Sequence, residues 1–325
     1  MDYKTVAPFN NRYWVFTDSS GTGQFVQRTD WGQNAAWVSF RAGGMYGDHA
    51  HNGNGHVEIW ENGWLVIDQN ILSSSGILIP DHAHNRVQIE PMSETWNLPD
   101  NPYNRAEHAE IPRREFTSSY SYIWENSTNV YQRQKNNTAT KTERQFFFLP
   151  QPKIVITFDI AATNSASNYK KNRWHFYGSA GRSGNVISYS NGTSKVFCHP
   201  LYPLNPSISL DNNVLDIEYT NAAVKNYFIT VLYTTAANAS ALSVQGISRD
   251  HGNVQESDVY GAAIARGNTS YSVVFKSDDP GFNYNHIAYN MEIYDFSYHY
   301  LAGLDKETTY YVTLSSNANT LNVDI

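Results

Sequence analysis

The sequence contains one cysteine, few charged residues and no long apolar run. Cys198 has no second cysteine to pair with, so a disulfide-bonded scaffold is excluded and we expect a buried thiol. Charged residues make up 16% of the chain and the net charge is −7, which argues against nucleic-acid binding because phosphate recognition needs a basic surface. No apolar stretch approaches the roughly 18 residues of a membrane helix, so we predict no membrane contact.

Helical periodicity is also nearly absent, whereas aromatic residues are abundant, with 23 tyrosines and 8 tryptophans. Runs of β-favouring residues recur between turns rich in Asn, Ser and Gly. These runs lie at residues 37–40, 153–160, 227–233, 271–276, 289–300 and 309–314. The pattern predicts an all-β fold, a large antiparallel β-sandwich of two or more packed sheets, with residues 1–325 forming a single domain.

Histidine is concentrated in one window of the chain. Five of the eleven histidines lie between positions 49 and 84, including the pairs His49-Ala50-His51 and His82-Ala83-His84. Asp68 lies between the two pairs. Neutral imidazole and carboxylate groups suit zinc, and a site that keeps one position open normally has three protein ligands. The loops within residues 43–90 are therefore predicted to form a His/Asp/His metal site.

A hairpin is predicted around Asn62-Gly63, which is a strong signal for a two-residue turn. With these two residues as the loop, Ile59 faces Val66 and Val57 faces Asp68. Side chains alternate between the two faces of a strand, so Asp68 shares a face with Val57.

This register decides which histidines are expected to meet Asp68. His56 is predicted to point away from it and is the weaker candidate ligand. His51 lies in the preceding glycine-containing loop and is free to fold back over the end of the sheet. His84 directly precedes another short alternating strand and could meet Asp68 at the end of the neighbouring strand.

The order of these motifs resembles that of the C-terminal β-sandwich domain of heparinase II/III-type polysaccharide lyases. The resemblance covers residues 10–90 most specifically. It rests on Arg28-Thr29-Asp30-Trp31, Phe40-Arg41-Ala42-Gly43, His49-Ala50-His51, the turn glycine Gly63, Asp68 and His84-Asn85-Arg86-Val87.

The resemblance implies a role for each matching position. His51, Asp68 and His84 would hold a zinc ion that organises the loops rather than performing the chemistry. His49 would be the catalytic histidine. Asn85 and Asp48 are the residues nearest in sequence to orient the ligand rings.

The implied reaction is β-elimination on an acidic polysaccharide that contains uronic acid. Such a lyase removes the C5 proton and expels the oxygen at C4, so it needs a base, an acid and a group that neutralises the neighbouring carboxylate. His49 is the predicted base, and Tyr46 on the same loop is the predicted acid. Arg28, Trp31 and Arg86 are the predicted substrate-binding residues, since an arginine can bind a carboxylate through two hydrogen bonds.

The family's N-terminal α/α-toroid, which supplies a catalytic tyrosine and asparagine, is not found in this sequence. We therefore expect a partner chain or a further domain to supply that half of an active site. The resemblance implies a secreted or periplasmic location. The start of the chain shows no signal-peptide pattern, so we expect a mature form or a domain of a longer protein.

Two other function classes remain open. A non-catalytic, zinc-stabilised carbohydrate-binding or structural module would explain the missing toroid and the many aromatic residues. A metal-dependent hydrolase of the cupin type would also use His-x-His on β-strands. A cupin needs a carboxylate about four residues beyond its His-x-His pair, where this chain has Gly55. This makes the cupin hypothesis weaker than the other two.

Overall fold

The computed structural model describes residues 13–16, 23–43, 53–69, 80–89, 109–134, 138–248, 259–277, 288–292, 294–304, 311, 313–317 and 320–324. Within these ranges the chain forms 24 strands, a short 3-10 turn at Pro80–Ala83 and one α-helix, α1 (Thr128–Gln134). No helix in the described part of the chain is long and apolar enough to cross a membrane.

The strands follow one another along the whole described chain. The first eight are β1 (Tyr13–Phe16), β2 (Gln24–Arg28), β3 (Trp37–Arg41), β4 (Val57–Trp60), β5 (Trp64–Val66), β6 (Val87–Ile89), β7 (Glu110–Phe116) and β8 (Ser121–Asn126). The next nine are β9 (Ala139–Leu149), β10 (Ile154–Thr163), β11 (Lys170–His175), β12 (Gly181–Ser183), β13 (Val186–Ser190), β14 (Ser194–Tyr202), β15 (Ser207–Asp211), β16 (Val214–Glu218) and β17 (Lys225–Ala236). The last seven are β18 (Ser243–Ile247), β19 (Val259–Arg266), β20 (Thr269–Lys276), β21 (Ala288–Glu292), β22 (Phe296–Ala302), β23 (Thr313–Asn317) and β24 (Thr320–Asp324).

These strands form five sheets in the described structure. The N-terminal sheet runs β1-β2-β3-β4-β5, and the central sheet runs β12-β13-β14-β17-β10-β9-β8-β7. The capping sheet is β15-β16-β11-β6, the C-terminal sheet is β18-β19-β20-β22, and the distal sheet is β21-β24-β23. Neighbouring strands are antiparallel except for β20 and β22, which are parallel. The predicted all-β sandwich of several packed sheets is confirmed.

The central sheet is buried on both faces. All ten residues of β10 are buried, and successive residues enter different cores because side chains alternate along a strand. Val155 packs in a core with Phe40 of the N-terminal sheet and Leu215 of the capping sheet. Phe158 packs in a second core with Phe275 of the C-terminal sheet. The described sheets therefore lie in layers, with the central sheet between the capping and N-terminal sheets and the C-terminal sheet.

The hairpin between β4 and β5 forms around the predicted turn but does not keep the predicted register. Ile59 pairs with Val66 as expected, but a bulge then pairs Trp60 with Trp64. Asn62 and Gly63 both have positive φ, at 54° and 128°, as a tight turn of this kind requires. Strand β5 ends at Val66, and the N–H of the next residue, Ile67, donates to a carbonyl of β11.

Candidate metal centre

Three chain segments bring two histidines and one aspartate together at one end of the N-terminal sheet. His56 immediately precedes β4, Asp68 lies two residues beyond β5, and His84 lies between the 3-10 turn and β6. His84 Nδ1 is 2.7 Å from Asp68 Oδ1, and His56 Nε2 is 3.0 Å from the same oxygen. One ligand atom from each residue lies within 4.8 Å of the others. Within the described ranges, this is the group of residues that could hold a metal ion.

The prediction that His56 points away from Asp68 is wrong. The prediction extended the strand alternation as far as Asp68, but β5 ends at Val66, which also forms a bridge with Phe176 just beyond β11. His56 also lies outside β4, where Gly55 takes a positive φ of 78°. Because both residues lie beyond the paired segment, the alternation rule does not apply to them. The predicted approach of His84 to Asp68 is present in the structure.

Burial sets the protonation of His84. The side chain is 1% exposed, and this burial lowers the pKa of His84, although the Asp68 carboxylate acts in the opposite direction. A lowered pKa keeps the imidazole neutral near pH 7, which is the form that binds a metal. Asp68 is more accessible, with a side chain that is 29% exposed, so the cluster is open on the carboxylate side.

His56 has a defined tautomer. The backbone N–H of Asn85 donates to its Nδ1 at 2.9 Å, so Nδ1 carries a lone pair and the proton of the neutral ring lies on Nε2. That Nε2 is buried and lacks hydrogen-bond alignment with Asp68 despite the short distance. A metal ligand would need a lone pair on Nε2, which the hydrogen bond from Asn85 disfavours. In this tautomer His56 lies next to Asp68 but offers no free lone pair on Nε2 to a metal ion.

Asn85 connects the segments that form the cluster. Its side-chain amide donates to the carbonyl oxygens of Val57 at 2.8 Å and Ile67 at 3.1 Å. Its Oδ1 accepts the backbone N–H of His175 at 2.6 Å and lies 2.9 Å from Nδ1 of the same residue. Asn85 thus contacts the rings of His56 and His175 and joins their segments beside His84, whereas its expected role in orienting the rings of metal ligands stays a prediction. Asp48, the other residue expected in this role, lies outside the described residues.

A buried ion pair in the central sheet is hydrogen-bonded to the two loops that carry His56 and His84. Arg144 forms hydrogen bonds with both carboxylate oxygens of Asp159, and both side chains are 2% exposed. The same guanidinium donates to the carbonyls of Gly55 and Asn85, the latter at 2.6 Å. The neighbouring Glu125 is fully buried, which raises its pKa to about 8 against the opposing effect of nearby arginines.

The other predicted site residues fall into three groups. The predicted catalytic residues His49 and Tyr46 and the predicted ligand His51 lie outside the described residues. Arg28 and Trp31 lie at the far end of β2, because Arg28 pairs with Trp37 whereas Gln24 pairs with Arg41. At about 3.3 Å per residue, this places Arg28 roughly 13 Å from the metal-site end of the sheet.

The third group is Arg86, which was predicted to face the substrate. Its side chain is 1% exposed and its guanidinium lies over the ring of Tyr131, 4.0 Å from the centroid. Arg86 is therefore packed against Tyr131 in the described structure, and a substrate contact by its guanidinium stays a prediction.

Two residues near the site were not selected from the sequence. Arg41 ends β3 at the site end of the sheet, and a Cβ added to Gly53 would lie 3.2 Å from Arg41 Nη1 and 3.5 Å from His84 Cε1. Arg41 is half-buried, and burial lowers its pKa while Asp68 favours its charged form. Arg41 belongs to the motif Phe40-Arg41-Ala42-Gly43, and that match was the signal available in the sequence.

His175 is the second such residue. It lies at the end of β11, and burial is the main cause that lowers its pKa to about 3. Its Nδ1–H points to Asn85 Oδ1, which leaves Nε2 as a buried atom with no hydrogen-bond partner. No motif in the sequence marked this residue, because His175 follows the histidine window by about 90 residues and comes near it only in the folded protein.

Comparison with known proteins gives a match in structure but not in sequence. No protein-family model and no curated protein matches the chain. A solved heparinase III gene product superposes with a TM-score of 0.60 at 15% identity, covering 82% of this chain and 43% of that one. A mutant of the heparan sulfate lyase HepC from Pedobacter heparinus gives a TM-score of 0.58 at 12% identity, covering 82% and 42%.

These matches confirm at the level of the fold the resemblance noted in the sequence. A second heparinase III structure agrees, with a TM-score of 0.57 at 12% identity. The chain spans about two fifths of the length of these solved proteins.

Proposed function

We propose that this chain is a zinc-containing β-sandwich of a polysaccharide lyase, with residues 1–325 acting as one domain. The observation that carries the proposal is the convergence of His84 Nδ1 and Asp68 Oδ1, at 2.7 Å, in a fold shared with heparan sulfate lyases. The donor set fits zinc, because it combines a buried neutral imidazole with a partly exposed carboxylate.

We assign the zinc ligands as His51, Asp68 and His84. The tautomer of His56 supports this choice over a site built on His56, since the Asn85 N–H occupies the lone pair of its Nδ1. Zinc bound there would fix the loop of residues 43–52 against Asp68 and His84, which is a structural role.

The proposed reaction is β-elimination at a uronic acid residue. His49 takes the C5 proton, the resulting electron pair forms the C4–C5 double bond, and the C4–O bond breaks. Tyr46 gives its proton to the leaving oxygen, so the atoms and charges balance. Arg41 is the arginine that we assign to the substrate carboxylate, because its guanidinium is close to the His84 ring and Arg86 is buried.

The remaining part of the active site is proposed to come from an α/α-toroid on another segment or chain. This chain spans only about two fifths of the length of the solved lyases, which supports a site shared between this chain and a toroid. The structural similarity to the heparan sulfate lyase HepC supports an acidic polysaccharide as the substrate class. A secreted or periplasmic location belongs to the same proposal.

The test is an assay for the unsaturated uronate product by its ultraviolet absorbance. Heparan sulfate, chondroitin sulfate, hyaluronan, alginate and ulvan would be tried with the full chain, alone and with a toroid-containing lyase fragment. We expect product from at least one polymer, with a loss of about 100-fold or more in His49→Ala and Arg41→Ala. Arg182→Ala is the matched control and should retain activity, since the exposed Arg182 bonds to the Ile208 carbonyl of β15, at the opposite edge of the capping sheet from β6. No product from any polymer under either condition would contradict the proposal.

A carbohydrate-binding module without catalysis is the second candidate. It is favoured by Trp31, which is 57% exposed with the guanidinium of Arg28 5.4 Å from its ring centroid. An exposed indole stacked on a cation is a suitable surface for a sugar ring. Polymer binding that is lost in Trp31→Ala, together with no product under any condition, would select this candidate.

A further inference from the structure

A cavity of about 240 Å³ lies on the other side of the central sheet from the metal centre. Its walls come from β7 and β8 at the edge of the central sheet and from the end of β22 in the C-terminal sheet. Phe147, which lies in its wall, belongs to the core between these two sheets. None of the residues that line this cavity belongs to the His/Asp/His group.

The polar side of the cavity is formed by three interacting groups. Arg113 Nη2 is 3.5 Å from Glu115 Oε2, and the Tyr120 hydroxyl donates to the other oxygen of Glu115. Arg113 also donates to the backbone carbonyl of Leu304, which ties β7 to the end of β22. The side chains of Arg113 and Glu115 are 28% and 42% exposed, so both are accessible to a ligand. Their charges compensate each other, which leaves a polar wall without net charge.

The polar groups adjoin an aromatic wall, to which Tyr120 contributes its ring. Tyr120 stacks on Phe147, with ring centroids 5.2 Å apart and planes inclined by 14°. Tyr300 meets Phe147 at 5.3 Å and Tyr120 at 5.4 Å in tilted and edge-on contacts. These contacts hold the three rings in fixed positions, so a ligand meets a preformed apolar wall.

His299 also lines the cavity. The Tyr289 hydroxyl is 2.7 Å from its Nδ1, whereas its Nε2 is buried without a hydrogen-bond partner. A buried polar atom without a partner is uncommon in folded proteins, because it loses its hydrogen bonds to water. Because this atom has almost no accessible surface and Nδ1 lies against Tyr289 and Ser272, the His299 ring is turned away from the cavity and is not assigned a ligand contact.

These features select a ligand with one apolar face and several hydroxyl groups. A hydroxyl group both donates and accepts, so it can bond to the carboxylate of Glu115 and to the guanidinium of Arg113. An anionic ring would meet the Glu115 carboxylate, and an apolar ring would add no hydrogen bond to the polar groups of the wall. The volume is sufficient for one ring but not for an extended chain.

We propose that this cavity is a binding site for a single neutral sugar ring, separate from the metal centre and independent of lyase activity. Glu115, Arg113 and the Tyr120 hydroxyl contact the sugar hydroxyls, and Tyr300 contacts the apolar face. The ring is either a free monosaccharide or the terminal residue of a glycan, since the two present the same chemistry.

The test is saturation-transfer NMR with the full chain and glucose, galactose, maltose and glucuronate as probes. We expect a neutral sugar to bind better than glucuronate. Maltose binding through one ring would assign the site to a glycan end, and exclusive binding of a monosaccharide would assign it to a free sugar. Tyr120→Phe and Glu115→Gln should each weaken binding by about ten-fold, the effect of one hydrogen bond.

Tyr177→Phe is the matched control, because Tyr177 is 58% exposed and its backbone pairs with Leu65 of the N-terminal sheet. It should leave binding unchanged. Both cavity variants alter partly exposed side chains, and a melting curve would verify that they remain folded. No binding by any neutral sugar, preferential binding of glucuronate, or binding unaffected by both variants would overturn the proposal.

Discussion

The two faces of strand β10 are both buried but differ in chemistry. Thr157 and Asp159 alternate with Ile156, Phe158 and Ile160 along the strand. The face of Asp159 carries the ion pair with Arg144, whereas Phe158 stacks among aromatic rings in the core beneath the C-terminal sheet. The polar face is the one that lies beneath the His/Asp/His group.

This difference shows what the buried polar groups do. An apolar core packs sheets together but does not bond specifically to irregular backbone, such as the loops at Gly55 and Asn85. Arg144 supplies hydrogen bonds to both of these carbonyls. The polar side chains therefore fix the loops that carry the His/Asp/His group, whereas Ile156, Phe158 and Ile160 pack the central sheet against the C-terminal sheet.

The largest expected effect is on the polar face. Arg144→Met leaves Asp159 as a buried carboxylate without its partner, and we expect a loss of about 3–5 kcal/mol in the free energy of unfolding. Ile156→Val on the apolar face is the control and should cost about 1 kcal/mol. Urea denaturation measures both. Equal losses in the two variants would remove the distinction between the faces.

The next effect concerns Asn85. Asn85→Ala removes the partners of the Val57 and Ile67 carbonyls and of the His175 N–H, so we expect a loss of about 2–3 kcal/mol. The variant should also exchange the amide hydrogens near residue 67 faster, as seen by hydrogen-exchange mass spectrometry. Unchanged exchange there would show that Asn85 does not hold the segments together.

A pH-dependent effect is expected at Glu125. Its raised folded-state pKa of about 8 means that its contribution to stability is present below the ordinary value of 4.5 and is lost as the pH rises to about 8. Glu125→Gln should therefore unfold at a higher temperature than the parent at pH 8.5, and the difference should shrink towards pH 4.5. Glu110→Gln, at an exposed position on β7, is the control. A difference independent of pH would contradict this account.

The smallest effect is expected at the exposed end of the N-terminal sheet. Trp31→Ala should change the free energy of unfolding by less than about 0.5 kcal/mol, because the indole is largely exposed and far from both faces of β10. Thermal denaturation measures this change. A loss above about 1 kcal/mol would show that Trp31 is part of the packed structure.

The sequence was sufficient for local features of the fold. The run at residues 153–160 became β10, and the turn at Asn62-Gly63 formed. The run at residues 289–300 divided into β21 and β22, which belong to different sheets. A single sequence could not show this division, because the choice of partner strand depends on the rest of the fold.

The site was predictable only in part, for the same reason. Asp68 and His84 followed from spacing, but His56 was misplaced because a bulge and an early strand end removed the alternation. The Arg144–Asp159 pair and His175 lie far along the chain from the cluster. Only the packing of the sheets brings them near it.

The central claim is that Asp68 and His84 belong to a zinc centre in which His56 is a neighbour and not a ligand. The most direct measurement is the zinc content of the purified full chain by elemental analysis, with circular dichroism as a check on folding. We predict one zinc ion per chain in the parent and in His56→Ala, and its loss in Asp68→Ala and His51→Ala. Stoichiometric zinc in Asp68→Ala, or loss of zinc in folded His56→Ala, would contradict the account.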